Sequence, residues 1–212
     1  MTYQSVAYAG GRVRVVSPPE AAAIDLADAK QHLRIEPGNL TEDALIEALI
    51  TAANAPLDGP SGWLGRALVL QRLEYSLDGF PCDVLKLPCP PLAVDNLGVP
   101  LFVAVSYVDS QGALQTLAPA TYRVIYGGEE PSRFLLGYGQ TWPATRCEPE
   151  AVRIRYDAGY GTASEAVAAE IRHAVRLQVG TLYKNRESVI GTPQHDLLKG
   201  YVELLSHKRV FL

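Results

Sequence analysis

The stretch "AVRIRYDAGYGTASEAVAAEIRHAVRLQVGTLYKNRE", residues 151–187, changes its period halfway. Its first part alternates. Val152, Ile154 and Tyr156 fall on one side and Arg153 and Arg155 on the other, as on a half-buried strand. Beyond Gly161 the apolar residues spread to Val167, Ile171, Ala174, Val175 and Val179, the stripe of an amphipathic helix. Ser164 is the expected N-cap, and Glu170, Arg172 and Arg176 fall on the outward face. What precedes this strand-to-helix switch decides the fold class.

Upstream the period stays at two. "RLEYSLD" sets Leu73, Tyr75 and Leu77 against Arg72, Glu74, Ser76 and Asp78. "DVLKLP" reads as a short strand closed by proline, and "FVAVSYVDSQGALQTL" as a hairpin turning at Asp109-Ser110-Gln111-Gly112. "TYRVIY" and "RFLL" continue the pattern. Strands this short and hairpin-linked predict mostly antiparallel sheets.

Still further upstream the period is helical. "DLADAKQHLRI" aligns Leu26, Ala29 and Leu33 behind an Asp25 N-cap. "TEDALIEALITAANA" offers Thr41 as N-cap, with one stripe of Leu45, Leu49 and Ala52 beside another of Ile46, Ile50 and Ala53. Pro56, Gly59 and Pro60 end it. At the other end, "QHDLLKGYVELLSHKRVFL" offers a short helix, complete by Leu205, and a basic, aromatic tail. The expected fold class is therefore α+β. A helical bundle of residues 23–66 and 162–205 carries an inserted, mostly antiparallel β module, residues 67–161. An arm, residues 1–22 with one short strand "RVRVV", precedes it, and a tail, residues 206–212, follows.

Composition limits function. The 212 residues are 48% hydrophobic and 20% charged, enough for a packed core. A net charge of −4 argues against tight phosphate binding over the whole surface. Cys82, Cys89 and Cys147 are irregularly spaced, with no Cys-x-x-Cys pair, and read as unpaired thiols in a reducing compartment. The N-terminus lacks a signal-peptide core, and no window approaches the ~18 apolar residues of a membrane span. The expectation is a soluble intracellular chain without a membrane role.

Catalytic patterns fail one by one. "GPSGW" lacks the nucleophile elbow, and "GYGQTWP" and "DAGYGT" complete no dinucleotide or phosphate loop. His32, His173, His195 and His207 show no metal-ligand spacing, and the adjacent His195-Asp196 forms no larger constellation. The reading is no enzyme, no metal and no cofactor.

The order of these parts resembles the head–tail connector, or adaptor, proteins of long-tailed bacteriophages and of the gene transfer agents derived from them. "DLADAKQHLRI" with "TEDALIEALITAA" is similar to the family's opening helix pair, and "GRAL" (65–68) to its approach to the β region. "LPCPPLAV", "YVDSQGALQTL" with "TYRV", then "TWP" before "VRIRYDAGYG", resemble its strand–proline segment, hairpin and closing strand. "IRHAVRLQVGTLYKNRE" resembles its last core helix. The likeness spans residues 24–190 and departs at Pro56–Gly62 and at the extra length "DNLGVPLF", residues 95–102.

The resemblance implies a structural ring of about twelve subunits beneath the portal protein, in the neck of a virion or phage-like particle assembled in the bacterial cytoplasm. Such a ring lengthens the DNA channel and docks the next neck (stopper) or tail protein, while DNA passes without specific binding. Within that frame Tyr183, Lys184, Arg186 and Glu187 are the candidate subunit interface, Tyr and Arg being favoured anchors. Lys208, Arg209, Val210, Phe211 and Leu212 are the candidate portal-docking segment, expected to be dispensable for the fold. The alternative is a DNA-binding packaging factor using Arg153, Arg155, Arg172 and Arg176.

Overall fold

A computed structural model of the chain describes residues 6–8, 10–185 and 204–211. Helices α1 (Leu26–Leu33), α2 (Asp43–Asn54) and α3 (Ala169–Lys184) pack against one another. Nine strands among the described residues form two sheets, and every pairing between them is antiparallel. The larger sheet has the order β1 (Val6–Tyr8), β2 (Gly11–Ser17), β3 (Gln71–Leu77), β9 (Val152–Ala158), β5 (Val103–Val108), β6 (Leu114–Thr116). The smaller has β4 (Leu85–Lys86), β8 (Arg133–Leu136) and β7 (Tyr122–Ile125). This is the expected α+β class.

Two cores follow from the two periods. Ile46, Ile50 and Ala53 of α2 meet Ile171, Ala174, Val175 and Val179 of α3, with Ala29 of α1. Of the two adjacent α2 stripes, the one through Ile46 is buried, while Leu45 is exposed. In the sheets, Val13, Leu73, Tyr75, Ile154, Tyr156 and Val105 make one apolar face that packs with Phe134 of β8. Phe80 and Trp142, the latter from "TWP", stack at 4.7 Å over this core, and Trp142 Nε1 donates to the Pro81 carbonyl. Each fully buried aliphatic side chain here contributes about 1.5–3 kcal/mol.

The segment between α2 and β3 joins the two cores. Leu64, Leu68 and Val69 belong to the helical core and Ala67 to the sheet core. Asp58 accepts from the Leu68 amide at 2.8 Å and from Gln71 Nε2 at 2.9 Å. Burial raises its pKa despite these hydrogen bonds.

Three local expectations need correction. Residues 11–17 are no arm: β2 pairs along β3 and buries Val13, because "RVRVV" alternates in phase with β3. Thr41 does not cap α2. Its hydroxyl and amide both turn to Asn39 Oδ1, and the helix starts at Asp43 without a side-chain cap. Ser164 heads a short 3-10 turn, Ser164–Ala166. Val167 is extended (φ −67°, ψ 139°), so α3 begins only at Ala169. Asp25 does cap α1, accepting from the Asp28 amide at 2.7 Å.

Candidate functional site

Alternation on β2, β3 and β9 sends their polar residues to the face of the larger sheet that is turned away from its core. Register then sorts them into rows. Arg14, Glu74 and Arg155 are direct cross-strand partners. So are Arg12, Ser76 and Arg153, continuing to Ser106 and Thr116. Arg72 faces Asp157 in the next row.

The rows differ in how their charges are met. Glu74 is fully buried and accepts from both neighbours: Arg155 Nε at 2.5 Å on one oxygen, Arg14 Nη2 on the other. The arginine side chains remain 44% and 48% exposed, so each keeps donors in water. Arg72 grips Asp157 with two parallel bonds, 2.7 and 3.0 Å, while its guanidinium lies 3.8 Å over the Phe102 ring. In the third row no carboxylate answers. Arg12 is exposed, and the half-buried Arg153 has an Nε without a hydrogen-bond partner among the described residues. Five arginines stand here against two carboxylates, a local excess of +3 on a chain of net charge −4. The face is not evenly open: Arg12 is exposed, while Ser76 and Glu74 are buried.

Arg153 and Arg155, suggested as nucleic-acid contacts, do share this face. Arg172 and Arg176 do not join them. They lie on α3, where Arg176 Nη2 donates to Asp28 of α1 at 2.7 Å and the Arg172 Nε is buried without a partner among the described residues. The four arginines therefore form no single stripe across the two elements.

The cluster at the foot of α3 divides. Tyr183 is half-buried, and its hydroxyl donates to Glu42 Oε2 at the start of α2, a contact within the bundle. Lys184 is exposed in the last turn, where a cation suits the helix dipole. Arg186 and Glu187 lie outside the described residues.

The tail is not free. Arg66, buried at the junction of the two cores, donates from Nε to the Lys208 carbonyl and from Nη1 to the Glu129 carbonyl. The Val210 amide donates to the Leu64 carbonyl at 2.9 Å, and Lys208 Nζ reaches Glu129 at 2.8 Å. Gly65 has φ +64°, and a Cβ there would lie 2.9 Å from the Val210 carbonyl oxygen, so the tail lies flush on "GRAL" only because glycine stands there. Arg209 lies between the Trp63 and Phe211 rings, at 4.8 and 4.6 Å from their centroids. Phe211 itself is 75% exposed, and Leu212 lies outside the described residues. These contacts bear on the expectation of a tail dispensable for the fold, since removing the tail would strip the buried Arg66 of one of its acceptors.

No family model matches this chain, and no curated protein matches it in sequence. Solved structures do match. A chain from the "Virion of native gene transfer agent (GTA) particle" is 23% identical, with a TM-score of 0.70 over 94% of this chain and 96% of its own. The fold is the one found in that particle. A chain from the "Neck of empty GTA particle computed with C6 symmetry" gives a TM-score of 0.68 at 23% identity, over the same shares of both chains. One from the "Neck of native GTA particle computed with C12 symmetry" gives 0.60 at 20% identity over 100% of this chain and 97% of its own. The extra length at residues 95–102 holds a tight turn. The Asp95 carboxylate accepts from the Leu97 and Val99 amides, 2.9 Å each.

Sequence reading missed Arg66, Glu74 and the arginine rows. A faint signal existed. Three segments far apart in the chain each place charge at alternate positions, but only strand order makes them neighbours.

Proposed function

We propose that this chain is a structural neck component of a tailed phage or phage-like particle. Copies of it form a closed ring beneath the portal, lengthen the DNA channel and present a surface to the next neck or tail protein. The observation that carries this reading is a fold shared end to end with chains of gene-transfer-agent particles, two of them from necks computed with C6 and C12 symmetry. A ring of about twelve fits the symmetry of the second. The role asks for rigid geometry rather than chemistry, and two cores locked together through Arg66 and Asp58 provide it. Docking to the portal is proposed for the tail's exposed end, Phe211 with the stacked Arg209, rather than for Lys208, which is held by Glu129.

Electron microscopy of the purified protein, alone and mixed with portal protein, tests this. At micromolar concentration the protein alone is expected to be largely monomeric, since its surface is mixed and polar. At high concentration, or with portal, closed rings are expected. A tight two-fold dimer would contradict the reading, because such an interface closes on itself.

A further inference from the structure

The arginine face has an electrostatic counterpart elsewhere on the same chain. With +3 on the face and −4 overall, the rest of the chain carries −7. Part of that is concentrated in residues 36–47, "EPGNLTEDALIE", which hold four carboxylates and no cation. The segment is pinned from beneath. Lys30, only 5% exposed, reaches Asp43 at 2.5 Å and donates to the Pro37 and Asn39 carbonyls at 3.4 and 2.9 Å. Glu42 is engaged by Tyr183. Glu36 and Glu47 are exposed and make no ion pair among the described residues, and Glu47 lies one turn beyond Asp43 on α2. Between them Leu40 is 71% exposed. The sheet face matches this in kind. Arg12 and Arg153 lack carboxylate partners among the described residues, and Leu114, on the same face at edge strand β6, is 66% exposed.

We propose that the arginine face of one copy docks against the Glu36–Glu47 segment of the next copy, so that each subunit offers both halves of a head-to-tail contact. The proposal rests on the ring reading above and names the surfaces that build the ring. Two different, complementary patches on one chain give a heterologous interface, which closes into a ring when the rotation allows. Complementary charge at the rim sets orientation and association rate, while the leucines supply apolar contact. DNA is the other polyanion such a face could meet, but the overall negative charge of the chain opposes it at a distance.

The test is a charge swap. One variant carries Arg12→Glu and Arg153→Glu, the other Glu36→Arg and Glu47→Arg. Arg155 and Glu74 are left alone because Glu74 is buried. Self-association is followed by sedimentation and electron microscopy at high protein concentration, with melting curves of each variant as control. Each variant alone is expected to associate at least about tenfold more weakly than the parent chain. Their equimolar mixture is expected to regain rings, because alternating copies make every interface complementary. The acidic-segment variant tests the idea even if the sheet variant folds poorly. Unchanged rings in both variants would overturn this inference and leave the ring reading standing. A parent chain that forms no rings under any condition, with or without portal, would overturn both. Intact rings together with lost retention of a duplex DNA probe by the Arg12→Glu, Arg153→Glu variant would assign the face to DNA instead.

Discussion

The two faces of the larger sheet are built from the same strands and obey different rules. On one face Val13, Tyr75, Ile154 and Val105 line up across four strands, and Phe134 of the smaller sheet covers them. On the other, Arg12, Ser76 and Arg153, then Arg14, Glu74 and Arg155, line up in the same register. The apolar face is specified by burial and fixes the fold. The polar face is fixed only because the first face sets the register. Most of its charges are met within the face, Arg14 and Arg155 by the buried Glu74 and Arg72 by Asp157, which leaves Arg12 and Arg153 without a carboxylate among the described residues.

The largest expected effect lies on the apolar face. Ile154→Ala should cost about 2–5 kcal/mol in denaturant unfolding, because the side chain is fully buried at the centre of the sheet. A loss under 1 kcal/mol would mean that the sheet core is not what fixes the register. Next comes Glu74→Ala, which removes a buried carboxylate shared by two arginines. Both guanidinium groups can return to water, so the expected cost is about 1–3 kcal/mol, short of a core cavity. A stabilised variant would show that the row is mutually strained.

A smaller effect should appear in alkaline pH. Burial raises the pKa of Tyr75 on the apolar face above its ordinary value of 10.0. Raising an acid's pKa in the folded state favours the neutral form. Its contribution is therefore fully present below pH 10 and lost as pH climbs through the raised value. Tyr75→Phe should flatten that part of the stability curve, as read from melting temperatures between pH 8 and 11. An identical alkaline slope in the variant would assign the loss to other tyrosines, such as Tyr122, which burial also raises. The smallest effect belongs to Arg12→Ala on the open face, within about 0.5 kcal/mol by the same unfolding measurement. A large loss there would erase the contrast between the faces.

Local patterns in the sequence carried the elements, and long-range geometry carried the site. The alternation in "AVRIRYDAGYG" and "RLEYSLD" marks β9 and β3 with the correct inward residues. The helical stripe from Ile171 to Val179 marks α3. Helix starts were less legible, since Thr41 had a competitor in Asn39 two residues away. The arm misled because a strand of seven residues finds its partner some sixty residues on, in β3. The arginine rows were hidden for the same reason: Arg14, Glu74 and Arg155 meet only after three strands are ordered. The anchorage of the tail was not legible in composition. Two cations beside apolar residues suggest a free docking segment, yet Gly65 and Arg66 hold its backbone against the body.

The most direct measurement is an electron cryomicroscopy reconstruction of the assembled protein at a resolution that places side chains. A closed ring is expected, in which Arg12 and Arg153 of each copy face Glu36 and Glu47 of its neighbour. A two-fold dimer, or a ring whose arginine faces look into open solvent, would contradict it.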